Sequence, residues 1–198
     1  MQNQINDNDC KIPDEILIEA IKGKDNNAFQ KIMRRYVNII FNFVKQYTDN
    51  KEDAEDITQD SFLKVWKNVK RFRKGMTFKP WLFAVARNTA LDQVKKRRIL
   101  SFSDLDNYVD EIPFSDSIED TEPLPDQVFE HMETVQVISR IQKDLHPDYR
   151  NILYMHYYEN MTFNEIAVAM GRSINTVKSW HRRALSQLKK ILLHQYEA

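Results

Sequence analysis

Residues 163–182 read FNEIAVAMGRSINTVKSWHR, and this stretch decides the fold. Ile166, Met170, Ile174, Val177 and Trp180 recur at the three- and four-residue steps that bring side chains to one face of a helix. Gly171 interrupts the pattern where a tight turn needs a left-handed backbone, which glycine adopts without a Cβ penalty. Ala167 is small enough to let two helices approach, and Ser173 is placed to cap the second by accepting a bond from a first-turn amide. The twenty-residue spacing predicts a helix-turn-helix. Its outward positions are Asn175, Thr176, Lys178, Ser179, Arg182 and Arg183, joined at the turn by Arg172 and Ser173. From Arg172 to Ala198 the only acid is Glu197. Such a face suits a helix in the major groove of duplex DNA, where Asn, Ser and Arg meet base edges and Lys and Arg meet phosphate. The plainer alternative is a helical hairpin with a solvated basic face. His181 reads as a phosphate neighbour or a bystander rather than a metal ligand, since no second His or Cys accompanies it at ligand spacing.

Helical period extends through most of the remaining chain. Residues 14–48 carry Ile16-Leu17, Ala20-Ile21, Ala28-Phe29, Ile32-Met33, Tyr36-Val37, Ile40-Phe41 and Val44 at helical steps. Gly23 and Asp25-Asn26-Asn27 divide this region into a short helix and a longer one. Asp49-Asn50 caps a third helix to about Val69, residues 71–79 lack period and read as a loop, and Pro80 suits the first turn of a helix running to about Arg98. Val135, Ile138, Ile141 and Leu145 mark a further helix, and residues 148–159 another. No strand alternation and no internal repeat occur. The expected fold class is all-α, two small helical domains joined by an acidic, largely extended linker.

The 198 residues hold 29 Lys+Arg and 29 Asp+Glu, and a zero net charge argues against a nucleic-acid binder only until position is considered. Residues 1–14 sum to −2, 15–100 to +9, 101–134 to −11 and 135–198 to +4. Two basic blocks flank an acidic one. Residues 101–128 contain three of the six prolines and no base, so they cannot bury enough apolar surface to fold alone. The expected organisation is a tail at 1–13, a helical domain at 14–100, a linker at 101–128 and the helix-turn-helix domain at 129–198.

Composition removes several classes. Three glycines leave no Gly-rich phosphate cradle. A single cysteine, Cys10, excludes a disulfide framework or a multi-cysteine zinc site and fits a reducing compartment. The longest apolar run, residues 81–86, is far below the roughly 18 residues of a membrane span, and residues 1–11 lack the apolar core of a signal peptide. No catalytic residue, metal ligand or cofactor is expected.

Two further segments carry chemistry. On the third helix Glu52, Asp56 and Asp60 stand four apart, with Asp53 beside them. Acids in a first turn complement the helix dipole, and an Asp60–Lys64 pair is sterically possible. The spacing of Asp56 and Asp60 still sets like charges against each other at roughly 0.2–0.5 kcal/mol, a penalty that a basic partner surface removes. Downstream, Arg71, Phe72, Arg73, Phe78, Lys79 and Trp81 interleave bases with aromatics, and Arg87, Asn88, Lys95 and Arg98 follow on the next helix. Bases neutralise phosphate and flat rings hold unstacked bases, so this segment fits single-stranded nucleic acid. Core packing is the competing reading for Trp81.

At these residues the chain resembles the extracytoplasmic-function group of bacterial sigma factors. DAEDITQDSFLKVW at 53–66 is similar to that family's polymerase-binding helix, and after a 13-residue spacer PWLFAVARN at 80–88 is similar to its promoter-melting segment. LHPDYR at 145–150, EIA at 165–167, TVKS at 176–179 and RAL at 183–185 resemble its second domain. Trp180 stands where the family often has a base, and Asn160 where glycine is frequent.

The resemblance implies a non-enzymatic, cytoplasmic specificity subunit of RNA polymerase. Asp53, Asp56, Gln59, Asp60, Phe62, Leu63 and Trp66 are expected to bind core polymerase. Residues from Arg71 to Arg98 are expected to hold melted minus-ten DNA, and Arg172 to Arg183 to read the minus-thirty-five duplex. An anti-sigma factor is an expected partner, and the acidic linker is expected to thread the polymerase interior and compete with nucleic acid for basic surfaces. A stand-alone helix-turn-helix regulator leaves the acidic face at 53–66 without purpose. A metal enzyme built on Asp53, Asp56 and Asp60 lacks further ligands.

Overall fold

A computed structural model of the chain describes residues 12–48, 50–73, 75–101 and 145–196, with side chains from 97 to 101 and from 192 onward outside that description. Among the described residues every regular element is a helix and no strand occurs. The expected linker beyond Ser101 and the helix anticipated around Val135 to Ile141 lie outside them.

Helix α1 spans Asp14–Lys22 and opens with Asp14 and Glu15, whose charges favour a helix N-terminus. It buries Leu17, Ile18 and Ile21. At Gly23 an added Cβ would meet the Ala20 carbonyl at 3.2 Å, while Lys24 takes the left-handed turn at φ 66°. The Asp25 carboxylate then accepts from the Asn27 and Ala28 amides and starts α2, Asn26–Val44. Ala28, Ile32, Tyr36, Ile40, Phe43 and Val44 form its buried stripe. Asp14 ties the pair together by accepting from Arg35 and from the Tyr36 hydroxyl. Burial, reinforced by that carboxylate, drives the Tyr36 hydroxyl far above its usual range, so it remains a donor.

Helix α3, Lys51–Asn68, is capped by Asn50, whose side chain accepts from the Asp53 amide at 2.8 Å. A short 3₁₀ turn at Val69–Arg71 follows. Helix α4 spans Phe78–Ser101, so Phe78 and Lys79 belong to its first turn rather than to a loop. Pro80 falls within that first turn, where its missing amide proton costs no hydrogen bond.

In the C-terminal part, α5 covers Pro147–Leu153 and runs into a single π-helical turn at Tyr154–Tyr158. Asn160 takes φ 52°, a left-handed conformation asparagine tolerates, which accounts for its standing in place of glycine. Thr162 and Glu165 then form a capping box at α6, Phe163–Met170. Gly171 adopts φ 61°, Ser173 accepts from the Thr176 amide at 3.1 Å, and α7 continues through Ile174–Tyr196.

Among the described residues two apolar clusters form the core. The smaller joins Leu145, Tyr149 and Leu153 of the α5 region to Ala184, Leu185 and Leu188 of α7. The larger one unites α1–α4 but also takes in Ile152, Tyr154, Met155, Met161, Ile166, Ala169, Met170 and Val177. Ile152 and Leu153, adjacent in sequence, therefore point into different clusters. Phe43 lies at the centre, with ring centroids 4.8 Å from Phe83, 5.6 Å from Tyr47 and 6.3 Å from Tyr154. The two helical domains expected from sequence thus share a packed boundary, because the second carries apolar side chains on two faces.

Candidate nucleic-acid interface

The acidic helix shows a sharp division of faces. Ala54, Ile57, Phe62 and Val65 point inward, and the Thr58 and Ser61 hydroxyls donate to the Ala54 and Ile57 carbonyls, each at 2.6 Å. Asp56 and Gln59 are exposed, Asp53 and Asp60 are half-buried, and Leu63 keeps 45 % of its surface in solvent. Phe62 is only 2 % exposed, so its expected place in a polymerase contact is corrected: it is core. Trp66 is half-buried against Phe29, with ring centroids 4.8 Å apart. The sterically allowed Asp60–Lys64 pair does not form. Lys64 instead lies 3.4 Å from Asp92 on α4, and Asp60 accepts from Gln93 at 3.4 Å. What remains outward is carboxylate and leucine, a surface suited to a basic, partly apolar partner.

Aromatics and bases of the next segment separate. Arg71, Arg73, Asn88 and Lys95 are exposed. Phe72 and Phe78 are 4 % and 0 % exposed, which corrects their assignment as base-stacking rings. They form a triangle with Trp81, at 5.4 and 6.0 Å from it, and Tyr36 closes on Phe78 at 5.6 Å. Trp81 alone of the three keeps a half-exposed side chain, resting on the buried pair. The Arg98 side chain lies outside the described residues.

Lys79 and Arg87 are engaged elsewhere. Lys79 Nζ lies 2.9 Å from the Glu159 carboxylate and donates to the Glu159 carbonyl at 2.7 Å. Arg87 Nη2 lies 3.1 Å from Asp148. Asp148 and Glu159 are the contacts that the sequence reading missed. Each is an isolated acid in a basic block, and only the chain's return onto α4 gives it a partner.

The helix-turn-helix presents its polar face much as the spacing predicts. Arg172, Ser173, Asn175, Lys178 and Arg182 are exposed, while Thr176, Ser179 and Arg183 are half-buried. Ser173 also meets the Thr176 hydroxyl at 2.9 Å, so part of its hydrogen-bonding capacity serves the cap. Trp180 packs between Tyr149, at 6.3 Å, and the Arg172 guanidinium, 5.7 Å above its ring. The tryptophan that stands where the family often has a base therefore packs beneath an arginine supplied by the turn.

Of the two readings of His181, phosphate neighbour or bystander, burial removes the first, and the residue is part of the core. It is 9 % exposed, meets the Tyr157 hydroxyl at 3.2 Å, and packs on His156 and Phe163. Burial, with His156 adding repulsion, lowers its pKa from 6.5 to about 4. Between those values the unfolded chain binds a proton that the folded chain refuses, so stability falls as pH falls through that window. Unfolding titrations at pH 7 and pH 5 are expected to differ by about 2 kcal/mol on this account. His181→Phe is expected to remove most of that difference, and an unchanged difference defeats the assignment.

Among the described residues no group of three His, Cys, Asp or Glu is placed to hold a metal, and no helix is long and apolar enough to cross a membrane.

Comparison with known proteins gives two family matches, Sigma-70 region 2 over residues 32–99 and Sigma-70 region 4 over residues 138–188. The ECF RNA polymerase sigma factor SigE of Mycolicibacterium smegmatis is 26 % identical over 83 % of the chain, which spans 62 % of that relative's length. The ECF RNA polymerase sigma factor SigW of Bacillus subtilis is 25 % identical, with 88 % of this chain and 94 % of that one covered. Among solved structures, the sigma factor RpoE of Bartonella quintana, crystallised with the anti-sigma factor NepR, superposes with a TM-score of 0.60 at 25 % identity. That match covers 83 % of this chain and 96 % of the other.

Proposed function

The chain belongs to the extracytoplasmic-function group of RNA polymerase sigma factors, and from that premise we propose how its surfaces divide the work of promoter recognition. The exposed acids and Leu63 of α3, with Asp53, Asp56, Gln59, Asp60 and Trp66, bind core polymerase. Arg71, Arg73, Asn88 and Lys95, with Trp81 as the stacking ring, hold melted minus-ten DNA, and Lys79 and Arg87 add positive charge beside them. Arg172, Asn175, Thr176, Lys178, Ser179, Arg182 and Arg183 meet the minus-thirty-five duplex, with Ser173 fixing the start of the helix.

The proposal also carries over the family's character as initiation factors that perform no chemistry of their own, its site of action beside polymerase in the cytoplasm, and an anti-sigma partner like that of the Bartonella relative. The domain limits proposed are 14–100 and 129–198, with 101–128 between them.

The observation that carries the reading is the opposition of charge on one chain: a helix whose outward face is carboxylate, and a recognition helix whose outward face is acid-free and basic. The deciding experiment is transcription in vitro with purified core polymerase and this protein on matched promoter DNA. Failure to bind core and to start transcripts defeats the proposal.

A finer expectation concerns the recognition helix. Asn175→Ala should weaken promoter binding by about 1–3 kcal/mol and relax sequence preference, whereas Lys178→Ala should weaken all sequences alike and reduce the salt slope by about 1. Binding titrations across ionic strength on cognate and scrambled duplexes separate the two. Identical behaviour of the two variants contradicts the division between base reading and phosphate contact.

A further inference from the structure

Arg172 is held at both ends. Its amide donates to the Ala167 carbonyl at 3.1 Å, closing the turn behind α6, and the next residue, Ser173, caps α7. Its guanidinium carbon stands 5.7 Å over the ring of Trp180, within the reach at which an aromatic face attracts a cation. Trp180 lies six residues beyond Ile174, the first residue of α7, which is about 9 Å at 1.5 Å per residue. The exposed side chain of Arg172 therefore lies along the recognition helix instead of projecting ahead of its N-terminus.

The ring beneath it is fixed in turn. Trp180 is half-buried and packs against both apolar clusters. It tilts against Tyr149, itself only 7 % exposed, with centroids 6.3 Å apart. Position on the helix then decides where the charge faces. Asn175, Lys178 and Arg182 are exposed and share one face by their three- and four-residue steps. Thr176, Trp180 and Arg183 are half-buried and share a flank about a third of a turn away. For a helix lying in the major groove, the first face meets base edges, and a flank runs beside the phosphates of a strand that walls the groove.

We propose that Arg172 is a phosphate contact of the minus-thirty-five duplex and that Trp180 is its positioning residue, holding the guanidinium on the flank of α7 before DNA arrives. Ordering a loose arginine on binding costs side-chain entropy, and a guanidinium already resting on a fixed ring has lost most of that freedom in the free protein. The ring attracts the charge as a whole and takes up none of the N–H donors in a conventional hydrogen bond. Those donors stay available for two oxygens of one phosphate, which a planar guanidinium meets in bidentate geometry. The pair reads no base edge, so its contribution is the same for every sequence. Arg172 supplies affinity and Asn175 supplies selectivity.

These roles rest on α7 entering the major groove as proposed above, and the test separates the two. The full chain, assembled with core polymerase, is titrated by fluorescence anisotropy with duplexes bearing the matched or a scrambled minus-thirty-five element, across ionic strength. Arg172→Ala should weaken both duplexes by the same factor and reduce the salt slope by about 1. Trp180→Leu keeps an apolar side chain against Tyr149 but offers no aromatic face. It should weaken both duplexes about two- to fivefold in the parent and cost nothing further once Arg172 is alanine. Trp180→Phe retains a ring and should bind more tightly than Trp180→Leu. Arg172→Ala combined with Trp180→Arg returns a charge to the same flank and should restore the salt slope of the parent. Circular dichroism establishes that each variant is folded, and Arg172 is exposed, so its truncation leaves the packing intact. An unchanged salt slope in Arg172→Ala, or a loss confined to the matched duplex, overturns the phosphate contact. A Trp180→Leu loss equally large with and without Arg172 overturns the positioning role, because a merely structural tryptophan behaves that way. If Asn175→Ala and Lys178→Ala also leave both duplexes unaffected, the major-groove reading of α7 fails as well. If those two act while Arg172→Ala and Trp180→Leu do not, only the Arg172–Trp180 assignment fails.

Discussion

Reversing Asp56 and Asp60 together to arginine is expected to lower affinity for core RNA polymerase by about two orders of magnitude or more. Like charges brought together at an interface cost several kcal/mol, and each 1.4 kcal/mol is tenfold in affinity. The variant should keep its fold. Asp56 is exposed, and Asp60 gives up only a 3.4 Å contact from Gln93. Removing the repulsion among Glu52, Asp56 and Asp60 returns a few tenths of a kcal/mol to the helix, roughly 0.2–0.5 for each pair. The measurement is pull-down or anisotropy with core polymerase, accompanied by circular dichroism. Binding at the unmodified level, with helicity intact, reduces the acidic face to a solvated helix surface.

Phe43→Ala carries the second large effect, this time on stability. Phe43 is 0 % exposed and touches Tyr47, Phe83 and Tyr154. Truncating a buried phenylalanine costs about 3–5 kcal/mol, because the cavity adds to the lost transfer energy. Set against a typical total of about 5–15 kcal/mol, that removes a large share. For a chain of this size the melting temperature should fall by about 10 °C. The loss should reach the C-terminal domain as well, since Tyr154 packs on the same ring. A calorimetric scan in which the variant melts within about 3 °C of the parent defeats the placement of Phe43 at the centre of the core.

Much of the local structure was legible from residue order. Capping positions are short-range chemistry: Asp25 and Asn50 bond amides two or three residues onward, as does Ser173, so their roles follow from neighbours in sequence. Gly171 at φ 61° is equally local, since its conformation is set by the turn it must make. The start of α4 was less legible. Phe78-Lys79 shows no helical period of its own, and its helicity depends on Phe78 being drawn under Tyr36 and Trp81.

The candidate site was legible in composition and less so in exposure. A phenylalanine among arginines reads the same whether its ring faces solvent or core, and burial of Phe62, Phe72 and Phe78 was decided by helices distant in sequence. The same holds for His181, whose neighbours Tyr157, His156 and Phe163 come from other elements. Trp66 and Trp81 fall between these cases, each resting one face on a phenylalanine.

By itself the sequence determined the all-α class, the helix-turn-helix and the alternation of basic and acidic blocks, because helical period, capping and charge are properties of neighbouring residues. The tertiary structure decided which aromatics remain available to a partner and which bases are already held. Lys79 and Glu159 are 80 residues apart, and Arg87 and Asp148 are 61 apart. No local preference encodes a pair at that separation. It exists only because apolar side chains on a second face of the C-terminal domain gain by packing beside Phe43, and that packing carries the two carboxylates to α4.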